Sequence, residues 1–423
     1  MKAPGASAAP HILIVHQFYL MPGQPGGLRF NEFARFWHAQ GAEVTVLAGA
    51  LNYATGETPP KYRGRLVTRE VEAGVTIFRC YVPGTYNRSY LGRMWAFFGF
   101  GLSSVWAALQ AARPDVVIAT SPPLTVILTG FIAAKFRLRP AKWVFEVRDL
   151  WPESAVTTGV LREKQFLARI LYRLERWGYR HADLINVLTP AFRDNIVRRG
   201  LAPEGKICLV PNGADEELFF PDAAEGAMRE ALGWKDKFVV LYSGAHGRAN
   251  ALGQLLDAAA ILGEEKDILI ALVGDGPERS RLEREVKERR LTNVVFYGPQ
   301  PKERMPVFVN ACDVGAAVLQ DNPTFRTVYP NKVFDYMACS KPVLLAIDGA
   351  AREMVCEDAK AGIFAAPENP TALAGAILQL RAQPQVRAQM GRSGRAWVLA
   401  HATRKALAQE YYQHLVSLAH SIG

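Results

Sequence analysis

The chain has 423 residues, 49% of them hydrophobic and 21% charged, which is the composition of a folded protein large enough for two domains. Lysine and arginine exceed aspartate and glutamate by 50 − 40 = 10, so the expected partners are anionic lipid or anionic small substrates. With no zinc-finger spacing, no RNP-type motif and no isolated basic tail, we expect no nucleic acid. Five scattered cysteines and an opening stretch without an apolar signal core indicate a cytoplasmic protein without a zinc site.

Short apolar runs rich in valine, isoleucine and leucine recur through the first half, separated by helical patterns. Such runs are typical of strands buried on both faces of a parallel sheet. In chain order they are His11–Tyr19, Glu43–Gly49, Asp115–Thr120, Lys142–Val147 and Asp183–Leu188. The repeated alternation of strand and helix predicts right-handed crossovers and a doubly wound α/β sheet.

One segment of the first half, MWAFFGFGLSSVWAALQAA (Met94 to Ala112), carries no charge over 19 residues. Three interpretations are open: a membrane span, an ordinary buried helix, and a helix lying in the membrane interface, which we favour. The ordinary-helix interpretation predicts that Trp95 and Phe98 are buried. The side chains expected to meet lipid are Arg88, Tyr90, Arg93, Trp95, Phe97 and Phe98.

Two strand ends in the first half carry residues suited to a substrate. After the first strand, a glycine pair would admit a substrate phosphate or sugar, with a mobile surface loop as the alternative. After the fourth strand, Arg148 and Asp149 are predicted to be catalytic, against a structural ion pair, because buried strands seldom end in several charges. His16 could also be a core histidine. The predicted substrate-binding residues are His16, Gly26, Gly27 and Arg29.

The strand pattern restarts at Phe238–Gly244 and continues through DILIALVGDG, NVVFYG, DVGAAVL, PVLLAI and GIFAA. Between the halves lies LVPNGADEELFFPDAAEGAM, which is rich in turn residues, so we place a domain boundary after residue 215. Two such sheets facing each other would form a cleft at the carboxyl ends of their strands.

The loops that follow the second-half strands contain glycines and polar residues. A glycine-rich turn that feeds a helix N-terminus can bind a diphosphate, although none of these loops has P-loop or G-x-G-x-x-G spacing. A plain tight turn, a turn before the helix starting at Pro277, and a simple strand exit are the respective alternatives. The candidate ligand contacts are Gly244, His246, Arg248, Asn250, Gly274, Tyr297 and Gly298.

The stretch FRTVYPNKVFDYMA places Arg326 and Lys332 around an extended Thr327-Val328-Tyr329, whose backbone amides could face a ligand. We predict that the two cations act catalytically on a diphosphate and that Asp335, one turn into the helix, accepts from the ribose hydroxyls. The chain has no D-x-D pair. We therefore expect no metal, and the cations and helix ends would offset the charge of the leaving diphosphate.

Taken together, PNGAD, LVGDGPERSRLE, VVFYGPQPKERMPVFVNACDVGAAVL and YPNKVFDYMACSKPVL resemble the group 1 family of retaining GT-B glycosyltransferases. FEVRDLWPES and RTVYPNKVFDYMA are more narrowly similar to transferases of O-antigen, capsule and colanic-acid assembly, including the L-fucosamine transferases called WbuB. The resemblance implies two Rossmann-like domains, residues 1–215 and 216–399, facing a central cleft. It also implies a C-terminal helix, about 400–423, that packs back on the first domain.

The same resemblance implies a nucleotide-sugar donor held mainly by the second domain and transfer with retention. The chain departs from the family pattern in three places. The two glutamates of the family fall on Thr327 and Asp335, only Arg248 remains of its Arg/Lys pair, and the first-domain histidine is Arg148. These departures put the contacts to the donor sugar in question.

The function expected is transfer of an amino or deoxy-amino sugar from a UDP-linked donor to a lipid-linked glycan, with the nucleotide sugar as co-substrate and no further cofactor. The protein would then act as a peripheral protein on the inner face of the plasma membrane. A nucleotide-sugar 2-epimerase on the same fold and a non-catalytic nucleotide-sugar-binding subunit are the alternatives. Turnover separates the enzymes from the binding subunit, and product analysis separates the two enzymes.

Overall fold

The computed structural model describes residues 9–421 except 25, 54, 87–88, 137, 158, 160 and 162–165. Arg88, one of the residues predicted to meet lipid, lies outside this set. The chain divides into two compact units: unit 1 comprises residues 1–211 and 405–423, and unit 2 comprises residues 212–404. Each unit is a Rossmann-like α/β domain, so the predicted fold class of two such domains is confirmed.

Unit 1 contains an eight-stranded sheet in the order β3-β4-β2-β1-β5-β6-β7-β8, parallel except for the β3–β4 pair. Its strands are β1 (His11–His16), β2 (Glu43–Gly49), β3 (Val67–Glu72), β4 (Val75–Cys80), β5 (Val116–Ser121), β6 (Lys142–Val147), β7 (Leu184–Val187) and β8 (Ile207–Leu209). All five predicted strands are present. The sequence analysis missed β3, β4 and β8. Charged residues and threonines interrupt β3 and β4, and β8 is a three-residue strand beside the turn-rich segment between the halves.

The helices of unit 1 that precede the second unit connect these strands. They are α1 (Arg29–Ala39), α2 (Tyr90–Gln110), α3 (Val126–Lys135), α4 (Glu153–Thr157), α5 (Phe166–His181) and α6 (Pro190–Arg198). α2 begins at a Ser89 cap whose side chain accepts from the Gly92 amide. Short 3-10 turns occupy Pro60–Tyr62 and Glu204–Lys206.

Unit 2 contains a fully parallel six-stranded sheet in the order β11-β10-β9-β12-β13-β14. Its strands are β9 (Phe238–Ser243), β10 (Ile268–Val273), β11 (Val294–Gly298), β12 (Val314–Val318), β13 (Val343–Ala346) and β14 (Gly362–Phe364), and all six were predicted. The sequence order reverses between β9 and β12. In open α/β sheets such a reversal opens a crevice at the carboxyl ends of the strands, where ligands bind.

The helices of unit 2 cover both faces of this sheet. They are α7 (Glu225–Ala231), α8 (Gly253–Ile261), α9 (Arg279–Glu288), α10 (Met305–Ala311), α11 (Asn331–Ala338), α12 (Ala350–Arg352), α13 (Pro370–Ala382) and α14 (Pro384–His401). α11 packs against one face with Phe334 and Met337, while α8 packs against the other with Leu255 and Leu256. Shorter turns are Arg248–Asn250, Lys302–Arg304 and Phe325–Thr327 (3-10) and Glu353–Asp358 (π).

The last helix, α15 (Arg404–His420), packs on unit 1 beside α1. The Trp37 indole donates to the Ala408 carbonyl at 2.8 Å, and the Phe33 and Tyr411 rings lie 6.3 Å apart. The C-terminal segment therefore completes the core of the first unit and covers one face of its sheet.

The opposite face of that sheet is covered by α2, α3 and α5, in that order. The Ser104 and Thr129 hydroxyls bond at 2.8 Å and join α2 to α3, while Gly178 of α5 lies against Ile127 of α3. Trp95 and Phe98 of α2 are exposed, contrary to the ordinary-helix interpretation. Phe97, by contrast, was predicted to meet lipid but is buried, with its ring against Tyr86 and Trp151. Phe97 lies on the side of α2 that packs against the rest of unit 1.

Candidate functional site

The loops after β9 and β12 meet at the point where the strand order of unit 2 reverses. The Gln320 amide, in the β12 loop, donates to the Ala249 carbonyl of the β9 loop at 2.9 Å. α11 begins where the β12 loop ends, so its first turn lies at the same edge of the sheet. This edge is the candidate site of unit 2.

Three glycines let the loops after β9, β10 and β11 pack in direct contact. The Gly244 amide donates to Val273 and the Gly274 amide to Gly298, each at 2.9 Å. All three have positive φ, at 135°, 139° and 67° for Gly244, Gly274 and Gly298. A Cβ on Gly274 would lie 1.8 Å from the Gly244 carbonyl oxygen, which excludes any side chain there. The predicted glycines thus shape the backbone of the site.

Lys332, in the first turn of α11, lies against the end of β9. Its Nζ is 3.6 Å from the centroid of the Tyr242 ring, and a Cβ on Gly244 would be 3.3 Å from it. Every residue of unit 2 is described, and within it Lys332 has neither a carboxylate partner nor a hydrogen bond. Burial lowers the pKa of Lys332 from its ordinary 10.5 to about 7. The site therefore contains a half-buried cation without a counter-ion in unit 2, a residue that an anionic ligand would complete.

Backbone amides at the start of α11 add to this positive charge. Pro330 precedes the helix and provides no side-chain cap. Within the described chain no acceptor is found for the amides of Tyr329, Asn331 and Lys332. Unpaired amides at a helix N-terminus attract anions, and here the Lys332 ammonium is a second and independent feature of the same kind.

Tyr336 holds α11 in this position, and the sequence analysis did not identify it. Its buried hydroxyl accepts from the Ser243 amide at 2.9 Å and donates to the Leu241 carbonyl at 3.2 Å. Its ring packs directly on Gly315 of β12, and a Cβ on Gly315 would lie 2.3 Å from the ring atoms. Because Tyr336 is four residues after Lys332, it fixes the first turn of α11 beside the β9 loop. The signal in the sequence was a glycine inside a strand, which marks a close approach.

His246 lies inside unit 2. Its ring packs between Tyr242 and Phe296, at 6.1 and 6.0 Å, and neither ring nitrogen has a hydrogen-bond partner within this fully described unit. Desolvation, and secondarily the charge of Arg279, lower its pKa to about 4, so the ring is neutral at pH 7. Its backbone pairs with Asp275 at 2.8 Å. The buried ring of His246 thus contacts two aromatic side chains, and its role as a ligand contact stays a prediction.

The segment before α11 differs from its predicted extended form. Phe325–Thr327 is a 3-10 turn, in which the Thr327 amide donates to Thr324 and the Val328 amide to Phe325. Arg326 is exposed and pairs with Asp321 at 2.8 Å. The prediction of ligand-facing amides is therefore wrong for residues 327 and 328, because the tight turn pairs them locally.

The other predicted contacts of unit 2 lie around the same edge. Arg248 is exposed in the turn after Gly247, and within fully described unit 2 it has no ion pair. The Asn250 amide closes that turn on Gly247, and Asp335 is half-buried on α11. Tyr297 points into the core, where its hydroxyl accepts from Trp234 at 2.7 Å. Lys332 and Arg248 are therefore the two cations that remain available to a ligand.

In unit 1 the structure brings two predicted residues together. The Arg148 guanidinium lies 3.1 Å from Nε2 of His16, whose Nδ1 is 3.2 Å from the Thr120 hydroxyl. Burial and the charges of Arg148 and Arg29 lower the pKa of His16 well below its usual value, so its neutral ring accepts from Arg148. Burial, with a contribution from Arg29, also lowers the pKa of Arg148 to about 10. His16 is the last residue of β1, and Arg148 directly follows β6.

Arg29 lies in the interior of unit 1. It pairs with Glu146 and donates to the Val210 and Pro211 carbonyls at 2.8 and 3.2 Å. Glu146 also accepts from Tyr411 of α15 at 2.8 Å, so this ion pair connects α1, β6 and α15. The arrangement gives Arg29 a structural role. The sequence analysis did not predict that Glu146 links these three elements. A carboxylate within a buried strand needs a partner, and this was the signal that could have indicated it.

The remaining predicted residues of unit 1 lie in loops. Gly26, with φ of 145°, and Gly27 are exposed before α1. Asp149 accepts from the Ser154 hydroxyl at 2.9 Å, and burial raises its pKa. Over the described residues of the whole chain, no group of three or more His, Cys, Asp or Glu side chains is placed to hold a metal ion.

Comparison with known protein families identifies both halves of the chain. Residues 26–213 match the glycosyl transferase 4-like domain, and residues 225–397 match the glycosyl transferases group 1 model. The chain is a glycosyltransferase whose two halves match these two domain families. The two matches correspond to unit 1 and unit 2.

Curated relatives of this glycosyltransferase include two bacterial proteins. It is 28% identical over 325 residues to the glycosyltransferase WbjE of Pseudomonas aeruginosa, covering 76% of this chain and 78% of WbjE. It is 26% identical over 366 residues to the colanic acid biosynthesis glycosyl transferase WcaI of Escherichia coli K12, covering 84% and 88%. These relatives support the family and leave L-fucosamine specificity open.

Solved structures of similar fold include a sucrose-phosphate synthase from Thermosynechococcus elongatus, with a TM-score of 0.75, 20% identity and coverage of 96% and 99% of the two chains. Anabaena HepE in complex with UDP-glucose has a TM-score of 0.71, 20% identity and coverage of 96% and 100%. At these identities the likeness concerns the fold, and it confirms the expected GT-B class.

Proposed function

We propose that this glycosyltransferase moves a sugar from a UDP-linked donor to a lipid-linked glycan during assembly of a cell-surface polysaccharide. The relative WcaI, named for colanic acid biosynthesis, supports the polysaccharide role, and the UDP complexes of HepE support the nucleotide. The sugar we propose is an amino or deoxy-amino sugar, as the narrower sequence resemblance implies. Retention of anomeric configuration belongs to the same proposal.

The observation that carries the donor site is the uncompensated Lys332. In the proposal, the donor diphosphate lies between the Lys332 ammonium and the open amides at the start of α11. Arg248, exposed in the neighbouring loop, supplies a second cation, and Asp335 accepts from the ribose hydroxyls. In the proposal, Lys332 takes the place of the missing lysine of the family's Arg/Lys pair, and Arg326, which pairs with Asp321 at the surface, is not needed for that role.

This arrangement supports a simple sequence of bond changes. The bond between the anomeric carbon and the diphosphate oxygen breaks as the acceptor hydroxyl attacks from the same face. The acceptor's proton passes to the departing diphosphate, whose growing charge is stabilised by Lys332 and the amides. The chain's own cations thus do the work that Mg²⁺ would otherwise do. In unit 1, we propose that Arg148 and His16 serve the acceptor.

A thermal-shift panel of nucleotide sugars tests the donor site. UDP-sugars should raise the melting temperature by mass action, while GDP-mannose should not. Lys332→Met should abolish the shift and cost about 2–4 kcal/mol of transition-state stabilisation. The matched control is Lys235→Met, because Lys235 is an exposed lysine of the same unit that pairs with Glu230. Equal shifts in the two variants would refute the site.

Product analysis then tests the reaction. With a glycan acceptor, the transferase should release UDP and lengthen the glycan. Release of an epimerised nucleotide sugar would favour the 2-epimerase instead, and binding without turnover would favour a non-catalytic subunit. A lipid-linked acceptor is anchored in the bilayer, so we also propose that the protein works at the cytoplasmic face of the plasma membrane as a peripheral protein.

A further inference from the structure

The outer surface of α2 is a continuous apolar stripe. Six of its side chains follow one another at spacings of three or four residues and therefore share one face of the helix. They are between 49% and 77% exposed. α2 has 21 residues, so the stripe extends over about 30 Å. We name as the α2 stripe the residues Leu91, Trp95, Phe98, Leu102, Trp106 and Leu109.

This stripe is not the face by which α2 packs on its own domain. That face is the opposite one, formed by buried residues such as Phe97, Phe100, Ser104 and Ala108. A surface helix of a globular protein normally turns polar residues outward. A long exposed apolar face on a helix whose inner face is already packed marks an interaction surface.

The charges of the surrounding layer select the kind of partner. α2, α3 and α5 lie side by side, and among their described side chains the one carboxylate is Glu175, which is buried and pairs with Arg199. Arg93 of α2 is exposed. Four arginines at helical spacing form an exposed row on α5: Arg169, Arg173, Arg176 and Arg180. The layer thus combines apolar and cationic surface without an exposed acid.

We infer that the α2 stripe and the arginine row of α5 seat the protein on an anionic membrane surface, with α2 lying in the interface. Tryptophan, phenylalanine and leucine beside arginine suit the boundary between headgroups and acyl chains. No helix of the described chain is long and apolar enough to cross a bilayer. A second copy of the chain fits less well, because the same layer of a second copy would offer these arginines no exposed carboxylate. The inference rests on the proposed lipid-linked acceptor for its purpose but not for its test.

Vesicle flotation of the full chain, without donor or acceptor, tests this surface. The protein should float with vesicles of equal parts phosphatidylglycerol and phosphatidylcholine, and much less with phosphatidylcholine alone. Trp95→Glu combined with Trp106→Glu should weaken partitioning by about tenfold or more, because both apolar anchors become charged. The matched control is Val386→Glu with Leu399→Glu, two exposed apolar residues of α14 in unit 2, and it should float like the wild type.

A second double substitution tests the arginine row of α5. Arg169→Gln with Arg173→Gln should weaken binding to the anionic vesicles by roughly 25-fold, since each arginine near such a surface contributes a factor of about five. High salt should release the wild type partly for the same reason. All variants should keep the wild-type melting temperature and UDP-glucose shift in vesicle-free buffer, which separates lipid binding from folding and from the donor site.

Four results would overturn the inference. The wild type could stay in solution with anionic vesicles, or bind both vesicle types equally. The tryptophan variant could float as well as the wild type. Sedimentation could show a wild-type dimer that the tryptophan variant converts to a monomer, which would assign the stripe to a second copy. Failure of the donor panel, in contrast, would leave the flotation result unaffected.

Discussion

Replacing Lys332 by methionine should stabilise the ligand-free protein while removing its function. The ammonium is desolvated, rests on the Tyr242 ring and has no carboxylate partner within fully described unit 2. Methionine retains the length and apolar contacts of the lysine stem without its charge. A catalytic residue that destabilises the fold is the expected sign of a site prepared for an absent anion.

The size of the effect follows from the pKa of Lys332. Its fall from 10.5 to about 7 corresponds to an upper limit of about 5 kcal/mol against the folded state. The contact with the Tyr242 ring offsets about 0.5–2 kcal/mol, and water near a partly exposed side chain lowers the cost further. We therefore expect Lys332→Met to raise the free energy of unfolding by about 1–3 kcal/mol at pH 6. Each kcal/mol corresponds to a rise of roughly 2–4 °C in Tm.

The effect should also depend on pH in a defined direction. Between about pH 7 and 10.5 the folded protein binds fewer protons at Lys332 than the unfolded chain, so the stability of the wild type rises with pH there. The destabilisation of the folded state by charged Lys332 is complete below pH 7, and it disappears as the pH approaches 10.5. The gain from Lys332→Met at pH 9.5 should therefore be only about a third of that at pH 6.

Chemical denaturation of wild type, Lys332→Met and Lys235→Met at these two pH values measures the gain. The Lys235 control should differ from wild type by little, because its side chain is exposed and its ion pair with Glu230 is solvated. A Lys332→Met protein that is less stable than wild type at pH 6 would show that the ammonium is stabilised in the free protein. The reasoning that connects its missing counter-ion to an anionic ligand would then fail.

Four further outcomes are expected. The affinity for intact UDP-glucose, measured by calorimetry, should fall with rising pH by up to tenfold per unit above pH 7, because the diphosphate favours charged Lys332; the Lys332→Met profile should be flat. Asp335→Asn should weaken UDP and UDP-glucose alike; a loss of turnover alone would place the carboxylate at the sugar. Tyr336→Phe should cost about 1–3 kcal/mol of stability, by leaving the Ser243 amide unpaired, and should reduce kcat/KM; an unchanged kcat/KM would remove its positioning role. Arg148→Ala should lower turnover and leave UDP affinity unchanged, and a parallel loss of affinity would contradict an acceptor role.

The fold could be predicted from the sequence because buried parallel strands have a strong local signature. All six strands of unit 2 and five of the eight in unit 1 are continuous apolar runs. The three missing ones lack that signature: charged residues and threonines interrupt β3 and β4, and β8 is three residues long beside a turn-rich segment. Burial on both faces produces an apolar run that can be recognised locally. The pairing of the edge strand β3 with β4 depends instead on contacts with a neighbouring strand, which the residues of β3 alone do not indicate.

The site was harder to predict because side-chain partners are not local. The sequence placed Lys332 at a helix start, and the structure places it against Tyr242, 90 residues earlier in the chain. It also placed Arg326 beside Lys332, but the 3-10 turn at residues 325–327 directs that side chain to Asp321. The choice between an extended and a 3-10 backbone decides such an outcome, and no pattern in the residue types encodes it.

Two cations of this chain show why pairing, rather than burial, separates structural from functional charges. Arg29 is buried inside unit 1, yet Glu146 and two carbonyls satisfy it, so it serves to hold α1 on the sheet. Lys332 is half-buried and has no counter-ion within unit 2, so the fold gains only the contact with the Tyr242 ring from its charge. A chain that needed only stability would place methionine or leucine there. Because Tyr336 and Gly244 shape the backbone around an ammonium that costs stability, the position makes physical sense when an anion occupies it.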